Sequence, residues 1–372
     1  MARIAHLANF FGPRTGSLRT TMTNLGREYR ALGHQAHLVV PAATDAERES
    51  DGVWIHEVAA SVVPGTGGYR LILDRPRVRS ILAELQPQAI ELSDRTTLLH
   101  VATWGRNRAI PVTCIVHERV DGVIRAHARL APARAIADVS NRRLARRVDR
   151  IVATTDFAAA EFTRIDVPVI RVPLGVDADF FRPDRADTTW RDQFDADVLI
   201  VMASRLSREK RPEFAIEVLR QNLAAGVDAH LLVLGDGPLM PRMRTGADGL
   251  PVTFMGFVQD RDLLATILAS ADVVLAPGPI ETFGLAALEA MASGTPVVAN
   301  ISSALREVVG TEGGVCLPAH AHAWAQAAVR LARDPGAGHR ARLRAEQFSW
   351  TATACRMLSV SGLQPVPQAA AR

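Results

Sequence analysis

Short apolar runs alternate with segments of helical period along this chain, and the alternation starts twice. Ile4–Ala8, Ala36–Val40, Val53–Val58, Ala89–Leu92, Pro111–His117, Arg150–Thr154 and Val169–Val172 read as strands, with helices such as Leu18–Leu32, Arg75–Leu85 and Ala135–Arg147 between them. A second series, Val198–Ala203, Ala229–Leu234, Val252–Met255, Val273–Ala276 and Pro296–Ala299, follows residue 175. Apolar strands separated by helices make parallel sheets covered on both faces. The expected architecture is therefore α/β, with two doubly wound Rossmann-like domains. Ligands of such sheets sit at the carboxyl ends of strands, so two sheets facing each other place the expected active site in the cleft between them.

The turn-rich stretch Pro173–Pro183 ends the first series, so the domains are expected over residues 1–174 and 175–349. A last apolar helix, residues 350–363, is expected to return toward the first domain. The tail 364–372, rich in Pro, Gln and Ala, is expected to be disordered. Three widely spaced cysteines (Cys114, Cys316 and Cys355) argue against a disulfide framework or a zinc site. Aromatic residues at 5% are too few for an aromatic nucleic-acid platform. Met1–Leu7 enters a strand directly, and no window approaches the roughly 18 apolar residues that span a bilayer. The expected location is the cytoplasm, peripheral on the inner face of the membrane at most.

Charge is uneven. Residues 1–176 hold 24 arginines against 17 acidic residues, whereas the remainder is slightly acidic. The N-terminal half is thus the one suited to an anionic surface. Against this arginine-rich background the chain has one lysine, Lys210. A lone ammonium suits a site that needs a compact point charge where a planar fork does not fit. It lies in Ser204–Pro212, a loop with several arginines between the strand Val198–Ala203 and a helix beginning near Pro212. Cations at a strand's carboxyl end, beside a helix N-terminus, make an anion site. The plainer reading is a lysine on a solvated loop.

The most specific constellation is Glu281-Thr282-Phe283-Gly284-Leu285-Ala286-Ala287-Leu288-Glu289, after the strand Val273–Ala276 and the turn Pro277-Gly278-Pro279. The amides of Phe283, Gly284 and Leu285 open a helix and can bind phosphate. Glu281 and Glu289, roughly 12 Å apart along a helical axis, can accept hydrogen bonds from sugar hydroxyls. One ligand reaching both has the extent of a sugar–pyrophosphate–ribose. As a bare pair, two glutamates at this spacing would be solvated helix carboxylates.

Gly12-Pro13-Arg14-Thr15-Gly16 follows the first strand, and its glycines allow backbone to approach phosphate or sugar. Its Gly-x3-Gly spacing differs from the Gly-x-Gly-x2-Gly of a dinucleotide site. His117 ends a strand, where a histidine is commonly structural. Asp177-Ala178-Asp179 and Asp195-Ala196-Asp197 carry an Asp-x-Asp pattern but sit in loops, as turn and cap residues. No metal is expected, because cationic side chains and helix amides can neutralise a pyrophosphate.

Several ordered motifs resemble retaining glycosyltransferases of family 4, which have the two-domain GT-B fold. Glu281 to Glu289 matches their Glu-x7-Glu, and Arg205 with Lys210 their cationic pair for the donor pyrophosphate. Gly235-Asp236-Gly237-Pro238 matches a turn of the family, Gly256-Phe257-Val258 the segment bordering the nucleobase, and Gly175–Pro183 the interdomain connection. The resemblance implies that Glu281 holds sugar hydroxyls, Glu289 the ribose, and Arg205 and Lys210 the diphosphate leaving group. It implies that His117 contacts the transferred sugar, and that Gly12, Gly16, Gly256, Phe257, Phe283, Gly284 and Leu285 line the donor site. The first domain would then take the acceptor and the second the nucleotide sugar, with no cofactor and no metal.

A finer resemblance, to actinobacterial mannosyltransferases that elaborate phosphatidylinositol mannosides, rests on Asn9–Thr20, Glu91–Leu98 and the basic N-terminal half. It implies GDP-mannose as donor and a phosphatidylinositol monomannoside as acceptor. A UDP-sugar enzyme with a soluble acceptor, or a non-catalytic nucleotide-sugar or lipid-binding paralogue, remains open at this level. Intact Glu281, Glu289, Arg205, Lys210 and His117 count against the paralogue.

A lipid acceptor raises the question of docking. In the helix after Asp74, Val78, Ile81, Leu82 and Leu85 fall in an arc of about 100°, edged by Arg75, Arg77 and Arg79. Arg142, Arg143, Arg146, Arg147 and Arg150 share an arc of about 140°, opposite Leu144, Val148 and Ile151. The expectation is an interfacial helix whose arginines reach lipid phosphates. The alternative is that both apolar stripes pack on the sheet.

Overall fold

A computed structural model describes residues 1–12, 16–63, 68–128 and 131–366. The chain divides into two compact units. The first comprises Met1–Asp121, Pro132–Gly175 and Trp350–Arg372; the second comprises Gly122–Ala131 and Val176–Ser349. The short segment after Asp121 thus groups with the second unit, a departure from an uninterrupted first domain over 1–174. Ile280 lies against it, 3.1 Å from where a Cβ on Gly122 would sit.

The first unit is built on β1 (Arg3–Leu7), β2 (Gln35–Ala42), β3 (Ala46–Ser50), β4 (Val53–Ala59), β7 (Ala89–Leu92), β8 (Val112–Val116), β9 (Arg150–Ala153) and β10 (Ile170–Arg171), with β5 (Ser61–Val62) and β6 (Arg70–Leu71) forming a separate ribbon. Strand order is β10-β9-β8-β7-β1-β2-β4-β3. Every pairing in that sheet is parallel except β3 with β4. The chain runs outward from β1 through β2, then restarts at β7, so the order reverses between β1 and β7. The antiparallel β3 was hidden by its Ala-Glu-Arg-Glu-Ser sequence, whose charges suit an exposed sheet edge. Asp51 and Gly52 join it to β4 as a two-residue hairpin turn, both with left-handed φ (53° and 75°), a turn that the alternation of apolar runs did not reveal.

The apolar stripes of both basic helices face inward. Val78, Ile81 and Leu82 of helix Arg75–Leu85 are buried in the same core as Leu144 of helix Ala133–Ala145, with Leu85 packed against it. Val148 and Ile151 join that core from beyond the second helix, which ends at Ala145. Arg150 and Ile151 belong to β9, so the expected single helical arc through residue 151 is not formed. This corrects the interfacial-helix expectation: stripes that cover a parallel sheet cannot also enter lipid. Asp74 caps that helix as expected, accepting from the Arg77 amide at 2.9 Å. Helix Trp350–Val360 belongs to the first unit, where Thr351 Oγ1 donates to Glu28 and Thr353 Oγ1 to the Pro173 carbonyl. The start of the expected disordered tail is held as well. The Val366 amide donates to the Leu32 carbonyl at 2.9 Å, and His34 Nε2 lies 2.9 Å from the Gln364 carbonyl. Residues 367–372 of that tail, and Pro13–Thr15 of the glycine loop, lie outside the described residues.

The second unit carries β11 (Val198–Ala203), β12 (Ala229–Leu234), β13 (Val252–Gly256), β14 (Val273–Ala276), β15 (Val297–Asn300) and β16 (Gly314–Leu317). All pairings are parallel, in the order β13-β12-β11-β14-β15-β16. Val198–Met202 are fully buried because helices cover both faces of the sheet. The order reverses between β11 and β14, so their carboxyl ends form this unit's topological switch point.

Candidate active site

Lys210 and Glu281 leave those two carboxyl ends. The loop after β11 closes in a short 3-10 turn, Arg208–Lys210, in which the Lys210 amide donates to the Ser207 carbonyl at 3.0 Å. Arg211 then takes a left-handed φ of 50° and opens helix Glu213–Ala224. The loop after β14 carries Glu281, whose carbonyl accepts from the Ala304 amide at 2.9 Å. The Lys210 ammonium donates to Glu281 Oε2. Their side chains are 26% and 23% exposed, so both charges remain reachable. Arg205 lies exposed on the same loop as Lys210.

Glycine makes this crowding possible at two places. Gly235 after β12 has φ 133°, and a Cβ there would lie 2.0 Å from the Ser204 carbonyl oxygen. Gly284 has φ 89°, and its Cβ would lie 2.4 Å from Leu305. Gly284 is the residue before helix Leu285–Ala292, and no side chain caps that helix. Phe283 is buried with its ring edge-on to Phe348, centroids 6.0 Å apart, which fixes the approach to the helix. Gly256 and Phe257 follow β13, and the Gly256 carbonyl accepts from the Gly235 amide at 2.7 Å.

Glu289 lies in the second turn of that helix. Burial pushes its carboxyl up to about 7, and the nearby positive charge of Arg261 offsets this only in part. Arg261, over the Phe180 ring at 4.5 Å, drew no notice in the sequence because nothing local links residue 261 to residue 289.

In the first unit, Gly16 precedes helix Ser17–Ala31 with no side-chain cap, and a Cβ there would meet nothing within 4 Å. Gly12 lies four residues earlier in sequence. Asn9, after β1, bonds across the switch point: its Nδ2 donates to Thr97 Oγ1, and its Oδ1 accepts from the Ile72 amide, both at 2.8 Å. His117, just past β8, has its Nε2 2.7 Å from Ser93 Oγ. Burial, helped by the Arg95 charge, lowers His117 to about 4 and keeps it neutral. Ser93 lies within the Glu91–Leu98 run, but its pairing with His117 required the adjacency of β7 and β8.

The Asp-x-Asp pairs behave as turn residues. Asp177 Oδ1 accepts from the Phe180 amide at 3.0 Å, and Asp195 takes a left-handed φ of 36° after the turn Asp192–Phe194. Among the described residues, no group of three His, Cys, Asp or Glu side chains could hold a metal ion. All three cysteines are free.

Two family models match the chain: "Glycosyltransferase Family 4" over residues 18–180 and "Glycosyl transferases group 1" over 197–334. The GDP-mannose-dependent alpha-(1-6)-phosphatidylinositol dimannoside mannosyltransferase of Mycobacterium tuberculosis is 43% identical over 98% of this chain and 97% of its own length. A GDP-mannose-dependent alpha-mannosyltransferase of Mycolicibacterium smegmatis is 29% identical over 82% of each. The structure of sucrose-phosphate synthase from Thermosynechococcus elongatus covers 97% of this chain and 98% of its own, with TM-score 0.77 at 21% identity.

Proposed function

The chain belongs to glycosyltransferase family 4, and from that premise we propose that it transfers mannose from GDP-mannose, with retention, to a phosphatidylinositol mannoside. The observation that carries this reading is the meeting of Lys210 and Glu281 at the switch point of the second unit, within a chain 43% identical end to end to a phosphatidylinositol dimannoside mannosyltransferase. That relative's name favours the dimannoside as acceptor over the monomannoside.

Lys210 and Arg205 face the diphosphate as it leaves, where negative charge grows in the transition state. The uncapped amides around Phe283, Gly284 and Leu285 add fixed dipoles of the same sense. Glu281 accepts hydrogen bonds from sugar hydroxyls, and Glu289 from the ribose. The backbone at Gly256 and Phe257 is assigned to the base, Gly12 and Gly16 to donor binding, and His117 to a hydroxyl of the transferred sugar. No side-chain carboxylate is assigned as nucleophile. The acceptor oxygen bonds to the anomeric carbon on the face that the phosphate leaves, and the acceptor proton passes to the departing phosphate oxygen. The cations perform the neutralisation a divalent ion would supply, so no metal or other cofactor is assigned.

A lipid acceptor implies docking on an anionic membrane surface. Arg75, Arg79, Arg142, Arg143 and Arg146 are exposed, while Arg77 is tied to Asp45 and Arg147 is partly covered. Ile136 and Val139, 45% and 67% exposed, share a helical stripe with Arg143 and Arg146, giving apolar residues beside cations. Among the described residues no helix is long and apolar enough to cross a membrane.

Transfer from radiolabelled GDP-mannose to phosphatidylinositol dimannoside, with product mass and anomeric configuration determined, tests the reading. A lipid one mannose larger is expected. Use of UDP-glucose in preference to GDP-mannose, or no transfer to lipid, would overturn it.

A further inference from the structure

His117 is the outer end of a buried chain of polar groups. Ser93 Oγ lies between two imidazoles, 2.7 Å from His117 Nε2 and 2.8 Å from His6 Nε2. His6 Nδ1 in turn lies 3.2 Å from Glu91 Oε2, a close contact and not an aligned hydrogen bond, and both atoms are buried with no hydrogen-bond partner. Tyr29 donates its hydroxyl hydrogen to Glu91 Oε1 at 2.6 Å. The fold dictates this order. His6 and Glu91 are register partners in the parallel pair β1–β7, and Ser93 is two residues further along the strand on the same face. Tyr29 comes from helix Ser17–Ala31, which covers that face, and His117 follows the adjacent strand β8. His6, Tyr29 and Glu91 are each at most 2% exposed.

A serine hydroxyl has one proton. Between two neutral imidazoles it donates to one and accepts from the other, so the tautomers of His6 and His117 are coupled. With Glu91 ionised, His6 keeps its proton on Nδ1. Ser93 then donates to His6 Nε2 and accepts from His117 Nε2–H, leaving His117 Nδ1 without a proton. With Glu91 protonated toward His6, the order inverts. His6 carries its proton on Nε2 and donates to Ser93, Ser93 donates to His117 Nε2, and His117 carries its proton on Nδ1. The two states differ by one proton. Entering at His117 Nδ1, it displaces one proton at each group in turn, and Glu91 takes the last.

We infer that Glu91 is a positioning residue which, through His6 and Ser93, decides whether His117 presents a hydrogen-bond donor or an acceptor at Nδ1. The inference rests on the reading that His117 meets the transferred sugar, because a hydroxyl needs the matching partner. Burial places the switch in a useful range: it raises the Glu91 carboxyl to about 7, with the Tyr29 hydrogen bond pulling the other way. Burial also lowers His6 to about 3 and His117 to about 4, so both imidazoles stay neutral while Glu91 titrates. Among the described residues, the charged and titratable groups that face the chain include Tyr29 on the helix, His6 on β1, His117 after β8, and Arg95 beside His117.

Nitrogen-15 spectra of the histidine-labelled full chain, without ligand, test this directly. The His117 Nδ1 and Nε2 shifts should exchange character as pH crosses about 7. Glu91→Gln should abolish the exchange, since Tyr29 holds the amide oxygen and the amide nitrogen then donates to His6 Nδ1, which keeps the His6 proton on Nε2 and fixes His117 in its Nδ1–H form. Ser93→Ala should uncouple His117 from Glu91, and Tyr29→Phe should move the midpoint upward. In turnover, a rate difference between pH 6 and pH 8 of about tenfold should fall below about twofold in Glu91→Gln. An unchanging His117 tautomer in the parent, or an unaltered exchange in Glu91→Gln, would overturn the inference. If the tautomer switches but His117→Ala keeps full activity, the relay stands and the sugar-contact role of His117 has failed.

Discussion

Lys210 and Glu281, separated by 71 residues of sequence, share a charged hydrogen bond because β11 and β14 are neighbours at the point where the strand order reverses. The pair is partly exposed, and pairs of that kind add about 0 to 1 kcal/mol of stability. Opening it to a ligand therefore costs little stability, and on the proposed reading the diphosphate would meet the ammonium and the sugar hydroxyls the carboxylate.

Lys210→Ala should accordingly leave thermal unfolding almost unchanged while turnover falls by about 10²- to 10³-fold, the usual effect of removing one charge-stabilising group. Lys210→Arg should recover little of it, since a planar fork does not fill a point-charge site. Steady-state kinetics beside a melting curve separate the two effects. Near-normal turnover in the alanine variant would return Lys210 to the solvated-loop reading.

Glu289 should set stability against donor binding. Its carboxyl rises from an ordinary 4.5 to about 7 on folding. The folded state therefore holds more protons than the unfolded chain between those values, and this group's contribution to stability declines as pH rises through that window. Above about 7 the loss is complete. Glu289→Gln should raise stability at pH 8 by about 1 to 3 kcal/mol and change it little at pH 4.5. It should also raise the donor KM by about tenfold, as expected for loss of a charged hydrogen bond. Calorimetry at the two pH values checks the first part, and Glu91, which shifts in the same direction, remains in both proteins.

Two glycines with left-handed φ should differ sharply. Gly235→Ala would place its Cβ 2.0 Å from the Ser204 carbonyl oxygen, so the loop carrying Arg205 must move; a loss of about 3 kcal/mol and weakened donor binding are expected. A Cβ on Gly256 meets nothing within 4 Å, leaving only the backbone strain of about 1 to 2 kcal/mol. Equal melting temperatures for the two variants would refute the steric argument.

Activity should survive excess EDTA if, as proposed, Lys210, Arg205 and the helix amides neutralise the leaving diphosphate. Complete loss on chelation, restored by Mn²⁺ or Mg²⁺, would assign the neutralisation to a metal instead.

Binding to anionic vesicles should be salt-sensitive and carried mainly by the exposed arginines of helix Ala133–Ala145 and the turn after it. Replacing Arg142, Arg143 and Arg146 with Ser should weaken co-sedimentation more than replacing Arg75, Arg77 and Arg79, since Arg77 already pairs with Asp45. Each basic residue near such a surface is worth about 1 kcal/mol. Equal binding to neutral and anionic vesicles would remove the electrostatic surface from the account.

By itself the sequence determined the parallel α/β layers, since β11 and β14 are apolar along their whole length and β12 along all but His230, and only a sheet covered on both faces buries them. It also placed Glu281, Glu289, Arg205 and Lys210 in ordered motifs at strand ends. Other features were decided by tertiary contact. The direction of the apolar stripes on helices Arg75–Leu85 and Ala133–Ala145 depended on which surface lay opposite, because a buried stripe and an interfacial stripe have the same period. The chain from His117 through Ser93 and His6 to Glu91 exists only because β1, β7 and β8 lie side by side. Hydrogen bonds over sequence separations of 87 and 24 residues leave no local pattern to read. Burial, set by the covering helix and not by neighbours in sequence, then moved the Glu91 carboxyl far from its ordinary value.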